Sequence, residues 1–409
     1  MRADLDRLMM EAQIDGLIVI GDKAANPYRA YLTRHSKANG SVFMKRGEPA
    51  VFVVNSGMEL DEAATSGLKV YTLADFGQSE LMRNYNGAAD LVSRDLFCNI
   101  LRQLEFTGKI ALFGVADLNT ALLQVTAVDE CMPDVQIVLG GLASTLFDKA
   151  YSTKDDAELV AMRESARLTG QVVSDTWEFI GQHRERNGVV IDKDGTPLTI
   201  GRVKRFIRLR EIELGLEDPS GCIFAQGREA GIPHSHGHDE DALVTGKSIV
   251  FDIYPRLLEN GYFHDMTRTW CIDHADDEVQ AAYDEVMHVF RETSRAFKVG
   301  EPTAQYQAMA CDYFEAHGHP TARSAPGTLE GYVHSLGHGL GLNVHEAPYF
   351  RQFGSDTLQP GSVFTVEPGL YYPERGFGVR VEDTVCFDEW GKLNHLTDFP
   401  YDLVLPLKG

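Results

Sequence analysis

Four acidic residues and one histidine in the C-terminal part of the sequence carry side chains that bind divalent metal ions. They are Asp252, Asp265, His338, Glu367 and Glu382. Carboxylate oxygens dominate this set, and an oxygen-rich site suits a pair of divalent ions better than a structural zinc. Two neighbouring ions can share a hydroxide, lower the pKa of its parent water and polarise a carbonyl group. The set therefore predicts a dinuclear metal site that performs hydrolysis.

Two of the acids lie in neighbouring segments that are typical of β-strands. An apolar run ends at Asp252, and a second β-prone run over 261–270 contains Asp265. Between them stands Asn260-Gly261, a strong signal for a tight hairpin turn. We therefore expect a hairpin that brings the two aspartates onto adjacent strands.

The other two acids stand among β-branched residues, Glu367 in 362–367 and Glu382 in 378–387. An acid in an apolar strand is costly to bury unless it is paired or binds a metal. A single such acid is well explained as a salt-bridge partner. Four of them together favour metal binding.

A glycine-rich loop carries the histidine of the set. His334, His338 and His345 follow one another at spacings of four and seven residues, and glycines stand at positions 337, 339 and 341. Glycine lets the backbone turn tightly and approach other groups closely. The loop therefore predicts that His338 is directed into the metal site.

Hydrophobic patterning divides the chain into two domains. Before residue 150, β-prone runs at 16–21, 50–55, 70–73 and 109–114 alternate with helical stretches, which is the pattern of a small α/β layer. After it, periodicity and acidic N-terminal signals predict helices over 153–181, 276–298 and 303–316. A chain of 409 residues exceeds one ordinary core. We predict an α+β protein with domains 1–150 and 151–409.

Composition limits the partners and the location. The net charge of −22 argues against binding nucleic acid or anionic membranes, which require basic patches. No run approaches the roughly 18 apolar residues of a membrane span, and the N-terminus lacks the apolar core of a signal peptide. The cysteines at 98, 131, 222, 271, 311 and 386 show no disulfide or metal spacing, which fits a reducing compartment. We therefore predict a cytoplasmic protein.

These motifs together resemble those of the pita-bread metallopeptidases, in the branch of aminopeptidase P and prolidase, with methionine aminopeptidase and creatinase as relatives. The resemblance covers nearly the whole chain and rests on the order of the five ligands and four short elements. The elements are Asp-x-Thr-Arg-Thr at 265–269, Gly-His-Gly at 337–339, Glu-Pro-Gly at 367–369 and Arg-x-Glu-Asp at 380–383. The resemblance implies a C-terminal pita-bread domain, a bent antiparallel sheet flanked by helices, behind an N-terminal α/β creatinase-like domain.

The resemblance also implies a role for each metal ligand. Asp252 would chelate one ion, Asp265 and Glu382 would bridge the two, and His338 and Glu367 would hold the second. Glu367 would also orient or deprotonate the attacking water. Manganese is the expected metal, with cobalt, zinc or iron as alternatives.

Around the metals, the resemblance implies further catalytic residues and a substrate. His234, His334, His345 and Arg380 match the shell that handles proline and the transition state, and His345 or His334 would stabilise the oxyanion. The implied activity is hydrolysis of the Xaa-Pro bond by a metal-bridging hydroxide, as a dipeptidase or an aminopeptidase. The implied assembly is a homodimer.

One departure from the family pattern keeps other functions open. Tyr254-Pro255 follows the first aspartate where the family usually has a glycine two residues on, and the two aspartates are two positions further apart. A bulky tyrosine and a rigid proline would reshape the pocket wall. The alternatives are a lyase or C–N hydrolase acting on a small non-peptide metabolite, and a binding protein that has kept the fold.

Overall fold

The computed structural model describes residues 4–21 and 26–408. The chain forms two compact units, Met1–Tyr151 and Ser152–Gly409. In the part of the chain that is described, no helix is both long and apolar enough to cross a membrane.

The N-terminal unit is built on one mixed six-stranded sheet with the strand order β4-β3-β2-β1-β5-β6. The central strand β1 pairs antiparallel with β2 and parallel with β5. The strands are β1 (Gly16–Ile20), β2 (Gly40–Lys45), β3 (Val51–Val54), β4 (Lys69–Thr72), β5 (Gly108–Gly114) and β6 (Val135–Val138). The helices are α1 (Asp4–Glu11), α2 (Pro27–Thr33), α3 (Leu60–Ala64), α4 (Gln78–Asn84), α5 (Ala89–Gln103), α6 (Leu118–Cys131), α7 (Gly141–Ser144) and α8 (Leu146–Tyr151). The four predicted β-runs are thus confirmed as β1, β3, β4 and β5.

Two cysteines of this unit form a disulfide, which departs from the expectation of a chain whose thiols fit a reducing compartment. Cys98 lies on α5 and Cys131 ends α6, with their Cα atoms 6.5 Å apart. No spacing signal predicted this bond because the two cysteines are 33 positions apart in the sequence, and the packing of α5 against α6 brings them together. Cys222, Cys271 and Cys311 are free and buried, as is Cys386.

The C-terminal unit contains the two longest of the described helices and two main sheets. Its helices are α9 (Asp156–Gly181), α10 (Ile200–Glu213), α11 (Asp277–Ala296) and α12 (Thr303–Ala316). Its strands are β7 (Arg184–Arg186), β8 (Val189–Ile191), β9 (Leu216–Glu217), β10 (Ile223–Gln226), β11 (Ser248–Ile253), β12 (Arg256–Leu257), β13 (Met266–Ile272), β14 (His338–Gly339), β15 (Glu346–Tyr349), β16 (Val363–Val366), β17 (Gly369–Tyr372), β18 (Phe377–Arg380), β19 (Asp383–Phe387), β20 (Leu393–His395) and β21 (Val404–Leu405).

The predicted helices of this unit are confirmed, and local signals explain their ends. At the start of α9 the Asp155 side chain accepts a hydrogen bond from Glu158 N, and the Glu158 side chain accepts one from Asp155 N. This reciprocal capping satisfies two N–H groups that the first turn leaves unpaired. Helix α9 therefore begins at Asp156, three residues inside the predicted range.

The two main sheets meet at one pair of residues. The first has the order β10-β11-β13-β21, and the second has the order β15-β14-β16-β19-β20. Thr267 on β13 and Glu382, just before β19, exchange backbone hydrogen bonds of 3.3 and 3.1 Å. Apolar residues of α9 and α10 pack on the first sheet, whereas α11 and α12 cover the second. The junction is thus held between two packed cores.

The predicted hairpin forms with a longer connection than a tight turn. Strands β11 and β13 pair antiparallel with Asp252 opposite Thr267, as expected for adjacent strands. The intervening chain folds out as a separate loop in which Leu257 N bonds Tyr262 O and Gly261 adopts a φ of 79°. The Asn-Gly pair therefore turns this outer loop rather than joining the two strands directly.

Candidate metal centre

The five predicted ligands come from strands that converge on the sheet junction. Asp252 lies in β11, Asp265 immediately precedes β13, and His338 begins β14. Glu367 follows β16, and Glu382 occupies the break between β18 and β19. Since the strand ends meet at the Thr267–Glu382 pair, the fold brings all five side chains into one region.

The histidine lies close to two of the acids. His338 Nε2 lies 3.3 Å from Glu367 Oε1 and 3.7 Å from Asp265 Oδ2. Asp265, His338 and Glu382 each offer a ligand atom, and these atoms lie within 4.8 Å of one another. Such spacing leaves room for an ion between the side chains.

Two carboxylate oxygens in this region have no hydrogen-bond partner among the described residues. Asp252 Oδ1 and Asp265 Oδ1 are buried and accept no hydrogen bond. A buried charged oxygen without a partner is strongly unfavourable. Hard divalent cations prefer carboxylate oxygens, so these residues fit a bound divalent cation.

Burial and mutual repulsion raise the pKa of the clustered acids. The pKa of Asp265 lies well above its usual range because of burial and the charges of Asp252 and Glu367. Burial, followed by the Asp265 charge, raises the pKa of Glu382 well above its usual range. For Glu367, burial and the Asp252 charge raise the pKa to about 7 against the opposing effect of Arg380. The protein alone does not neutralise these carboxylates, which a bound cation would do.

The imidazole of His338 is prepared to act as a ligand. Its Nδ1 lies 3.1 Å from Gly339 O, so that nitrogen carries the proton and Nε2 faces the acids with its lone pair. Burial and the charge of His345 lower the pKa of His338 to about 3. Thr365 Oγ1 accepts a 3.1 Å hydrogen bond from His338 N and lies 3.3 Å from Glu367 Oε1.

A buried ion pair fixes the backbone next to Glu382. Arg268 donates to the Asp383 carboxylate at 2.9 Å and to Glu382 O at 2.8 Å. Thr267 Oγ1 donates to Glu382 Oε2 at 2.7 Å and so orients the carboxylate itself. Thr267 and Arg268 of the Asp-x-Thr-Arg-Thr element therefore hold Glu382 in position, although the sequence predicted a role only for Asp265 in this element.

Arg380 and His334 are linked through a tyrosine that sequence reasoning missed. The hydroxyl of Tyr371 lies 2.8 Å from Arg380 Nη1 and 2.8 Å from His334 Nε2. Arg380 also donates to Asp252 Oδ2, to Thr267 Oγ1 and to the carbonyl before His234. Tyr371 stands four residues after Glu367 in a short β-prone run. This closeness to a predicted ligand is the sequence signal that could have identified Tyr371.

The remaining predicted residues border the same region. The His345 ring centroid lies 4.3 Å from that of His338. His234 is exposed, and its charge lowers the pKa of both His334 and His345, after the larger effect of burial in each case. His234 therefore lies within electrostatic reach of both His334 and His345.

Clustered carboxylates with a neutral imidazole at a sheet junction are what a metal-dependent hydrolase requires. The sequence profile of metallopeptidase family M24 matches residues 160–389. This match covers more than half of the chain, so the chain belongs to metallopeptidase family M24 and is a metallopeptidase, as the resemblance predicted.

Sequence relatives agree with this membership. The probable dipeptidase PepE of Mycobacterium tuberculosis is 28% identical over 297 residues, which are 72% of each chain. The Xaa-Pro dipeptidase of Pyrococcus furiosus is 32% identical over 178 residues, 43% of this chain and 47% of that protein.

Solved structures show the same fold. The Xaa-Pro dipeptidase from Bacillus anthracis superposes with a TM-score of 0.76 at 21% identity and covers 99% of both chains. The prolidase from Pyrococcus horikoshii OT3 gives 0.74 at 20% identity, covering 98% of this chain and 99% of that one. The predicted α+β class with its pita-bread arrangement is thereby confirmed.

Proposed function

We propose that this metallopeptidase hydrolyses the bond before proline in small peptides that carry proline in the second position. It would act as an Xaa-Pro dipeptidase or aminopeptidase with two divalent ions, manganese in preference to cobalt, zinc or iron. The observation that carries the proposal is the cluster of Asp265, His338 and Glu382. Beside it, the buried Oδ1 atoms of Asp252 and Asp265 have no hydrogen-bond partner among the described residues.

In this proposal the five ligands divide between two ions. Asp252 would hold the first ion, His338 and Glu367 would hold the second, and Asp265 and Glu382 would be ligands of both. When bound, the ions lower the pKa of water and polarise the scissile carbonyl group.

The chain's own residues complete the proposed reaction. Glu367 takes the proton of the attacking water on a carboxylate oxygen and passes it towards the leaving nitrogen. The proline nitrogen carries no N–H in the peptide and must gain a proton as it leaves. His345 or His334 donates a hydrogen bond to the oxygen on which negative charge develops. Arg380 holds Asp252 in place through its 2.5 Å contact.

One observation keeps a different substrate in view. Tyr254 follows the Asp252 strand, and its hydroxyl donates a 2.9 Å hydrogen bond to Gly221 O, which fixes a half-buried aromatic ring close to the proposed first metal. This ring would narrow the pocket for a peptide. The second candidate is therefore lyase or C–N hydrolase chemistry on a small metabolite.

The decisive experiment compares matched substrates with enzyme loaded with Mn²⁺. We expect cleavage of Gly-Pro and Ala-Pro and much slower cleavage of Ala-Ala, and a Xaa-Pro-Yaa tripeptide separates an aminopeptidase from a dipeptidase. If metal-loaded enzyme cleaves Ala-Ala but leaves every Xaa-Pro substrate intact, the proline specificity is wrong. If it cleaves no peptide but converts a small metabolite, the second candidate replaces the first.

We further propose a homodimer located in the cytoplasm, with 1–150 as a creatinase-like domain that borders the neighbouring subunit's site. Sedimentation velocity should give the mass of two 45.4 kDa chains. A single-chain mass at micromolar concentration would contradict the dimer.

A further inference from the structure

We propose that the buried ion pair between Lys154 and Glu346 is a positioning device for the imidazole of His345. This inference rests on the proposed function, in which His345 acts on the substrate. Lys154 precedes α9, whereas Glu346 begins β15 and follows His345 directly.

The pair is almost completely removed from solvent. Lys154 Nζ lies 2.8 Å from Glu346 Oε2, and the two side chains are 2% and 1% exposed. The other carboxylate oxygen of Glu346 accepts hydrogen bonds from Asn343 N at 2.8 Å and Asn343 Nδ2 at 3.1 Å. Glu346 thus connects the entry to α9 with the glycine-rich loop that carries the histidines.

Close packing makes this connection specific. A Cβ atom at Gly341 would lie 2.7 Å from Glu346 Oε2 and 2.7 Å from Lys154 Cε, so a side chain at this position would displace the pair. Gly341 O accepts a 2.8 Å hydrogen bond from Phe263 N, two residues before the metal ligand Asp265. The backbone of Lys154 is fixed as well, since its N–H donates to Gly361 O at 2.7 Å.

His345 depends on this anchorage for its orientation. His345 is exposed. None of the described residues forms a hydrogen bond with its imidazole ring. The ring contacts that of His338 at a centroid distance of 4.3 Å. Its direction is therefore set by the backbone, which Glu346 fixes on one side and Asn343 on the other.

The energetics of buried ion pairs indicate that this pair serves to position His345 rather than to stabilise the fold. Removing two charges from water is costly, and well-packed apolar replacements are often equally stable or more stable. Removal of only one partner leaves a buried unpaired charge, which is strongly destabilising. Variants that change both residues therefore separate stability from position.

The test is a mutant cycle with His345. Glu346→Gln alone, and Lys154→Met combined with Glu346→Leu, are measured in the wild-type and His345→Ala backgrounds. We expect kcat for Ala-Pro to fall at least about 10-fold with KM changed less than about 2-fold, as for loss of an interaction made only in the transition state. In the His345→Ala background the same changes should lower kcat little further, because the residue that the ion pair positions is absent. Fully additive losses would overturn the proposal.

A second readout does not require activity. In protein labelled with [13C]histidine, the His345 resonance is assigned by its loss in His345→Ala. We expect it to shift or broaden in both pair variants and to stay in place in Glu178→Gln, which alters the exposed Lys408–Glu178 pair. An unchanged His345 resonance would refute the positioning role. If wild-type enzyme cleaves no Xaa-Pro peptide, the proposed function fails while this readout still decides the inference.

Discussion

Arg380 and Asp252 form a buried ion pair in which Arg380 Nη2 lies 2.5 Å from Asp252 Oδ2, while Asp252 Oδ1 has no hydrogen-bond partner in the part of the chain that the structure describes. The guanidinium therefore orients the carboxylate and leaves one oxygen available. Through Tyr371 the same guanidinium reaches His334, so a proposed metal ligand and a proposed catalytic histidine share one rigid support.

Loss of a proposed bridging carboxylate should remove metal. For Asp265→Ala and for Glu382→Ala we expect bound metal to fall from two ions per chain to one or fewer, and activity to fall at least about 100-fold, because each carboxylate serves both ions. Elemental analysis of dialysed protein measures the first quantity. Glu374→Ala, at a 73% exposed side chain, is the matched control. Unchanged metal content in the two variants would contradict the ligand assignment.

Replacing Glu367 with glutamine should affect the chemical step. We expect Glu367→Gln to lower kcat by roughly 10²–10⁴-fold, the range for loss of a general base, with a smaller change in KM. A neutral amide neither accepts the proton nor balances metal charge. Steady-state kinetics on Ala-Pro measure both constants. If kcat and KM change by similar factors and the protein also loses the spectroscopic signal of its folded state, the substitution has instead disrupted the site.

The hydroxyl of Tyr371 should matter where that of Tyr372 does not. Tyr371 bridges His334 and Arg380, whereas the neighbouring Tyr372 hydroxyl contacts His319. We expect Tyr371→Phe to lower kcat roughly 10-fold, since loss of such a supporting partner typically costs 10–100-fold. Tyr372→Phe removes the same atom one residue away and should leave kcat within about 2-fold. If the two substitutions lower kcat equally, Tyr371 has no specific role at the site.

The stability of metal-free protein should reveal the raised pKa of Glu367. Its pKa is about 7 in the folded protein against the ordinary 4.5, mainly because of burial. The folded state then binds more protons than the unfolded state, so this group's contribution to stability is complete below pH 4.5 and is lost as pH rises to 7. Relative to wild type, Glu367→Gln in EDTA should gain up to roughly 3 kcal/mol over that interval. Urea unfolding measures the difference, and a constant difference would contradict it.

The Arg268–Asp383 pair should contribute strongly to stability. Its side chains are 1% and 0% exposed, and Asp383→Asn leaves the buried Arg268 charge uncompensated. We expect a loss of about 3–5 kcal/mol in the free energy of unfolding. Asp312→Asn breaks the half-exposed contact to Arg323 and should cost less than about 1 kcal/mol. The prediction fails if the two losses are equal.

Elements with local signals were predictable from the sequence. The acids at 155–158 predicted the start of α9, since they cap backbone groups within one turn. The β-branched run before Glu367 predicted β16, since β-branched residues are enriched in strands. The loop at 254–265 and the Cys98–Cys131 bond were not predictable, because they depend on packing between segments distant in the sequence.

The sequence by itself determined the identity and order of the donor side chains, the strands that carry them and the family to which the chain belongs. These properties are local, since side-chain chemistry and hydrophobic alternation are read from neighbouring residues. Only the tertiary structure decided which carboxylate oxygens lack a partner, that Tyr371 joins His334 to Arg380, and that Lys154 pairs with Glu346. These pairs span up to 192 residues of chain, and contacts at that separation form only when two sheets and their helices pack around one junction.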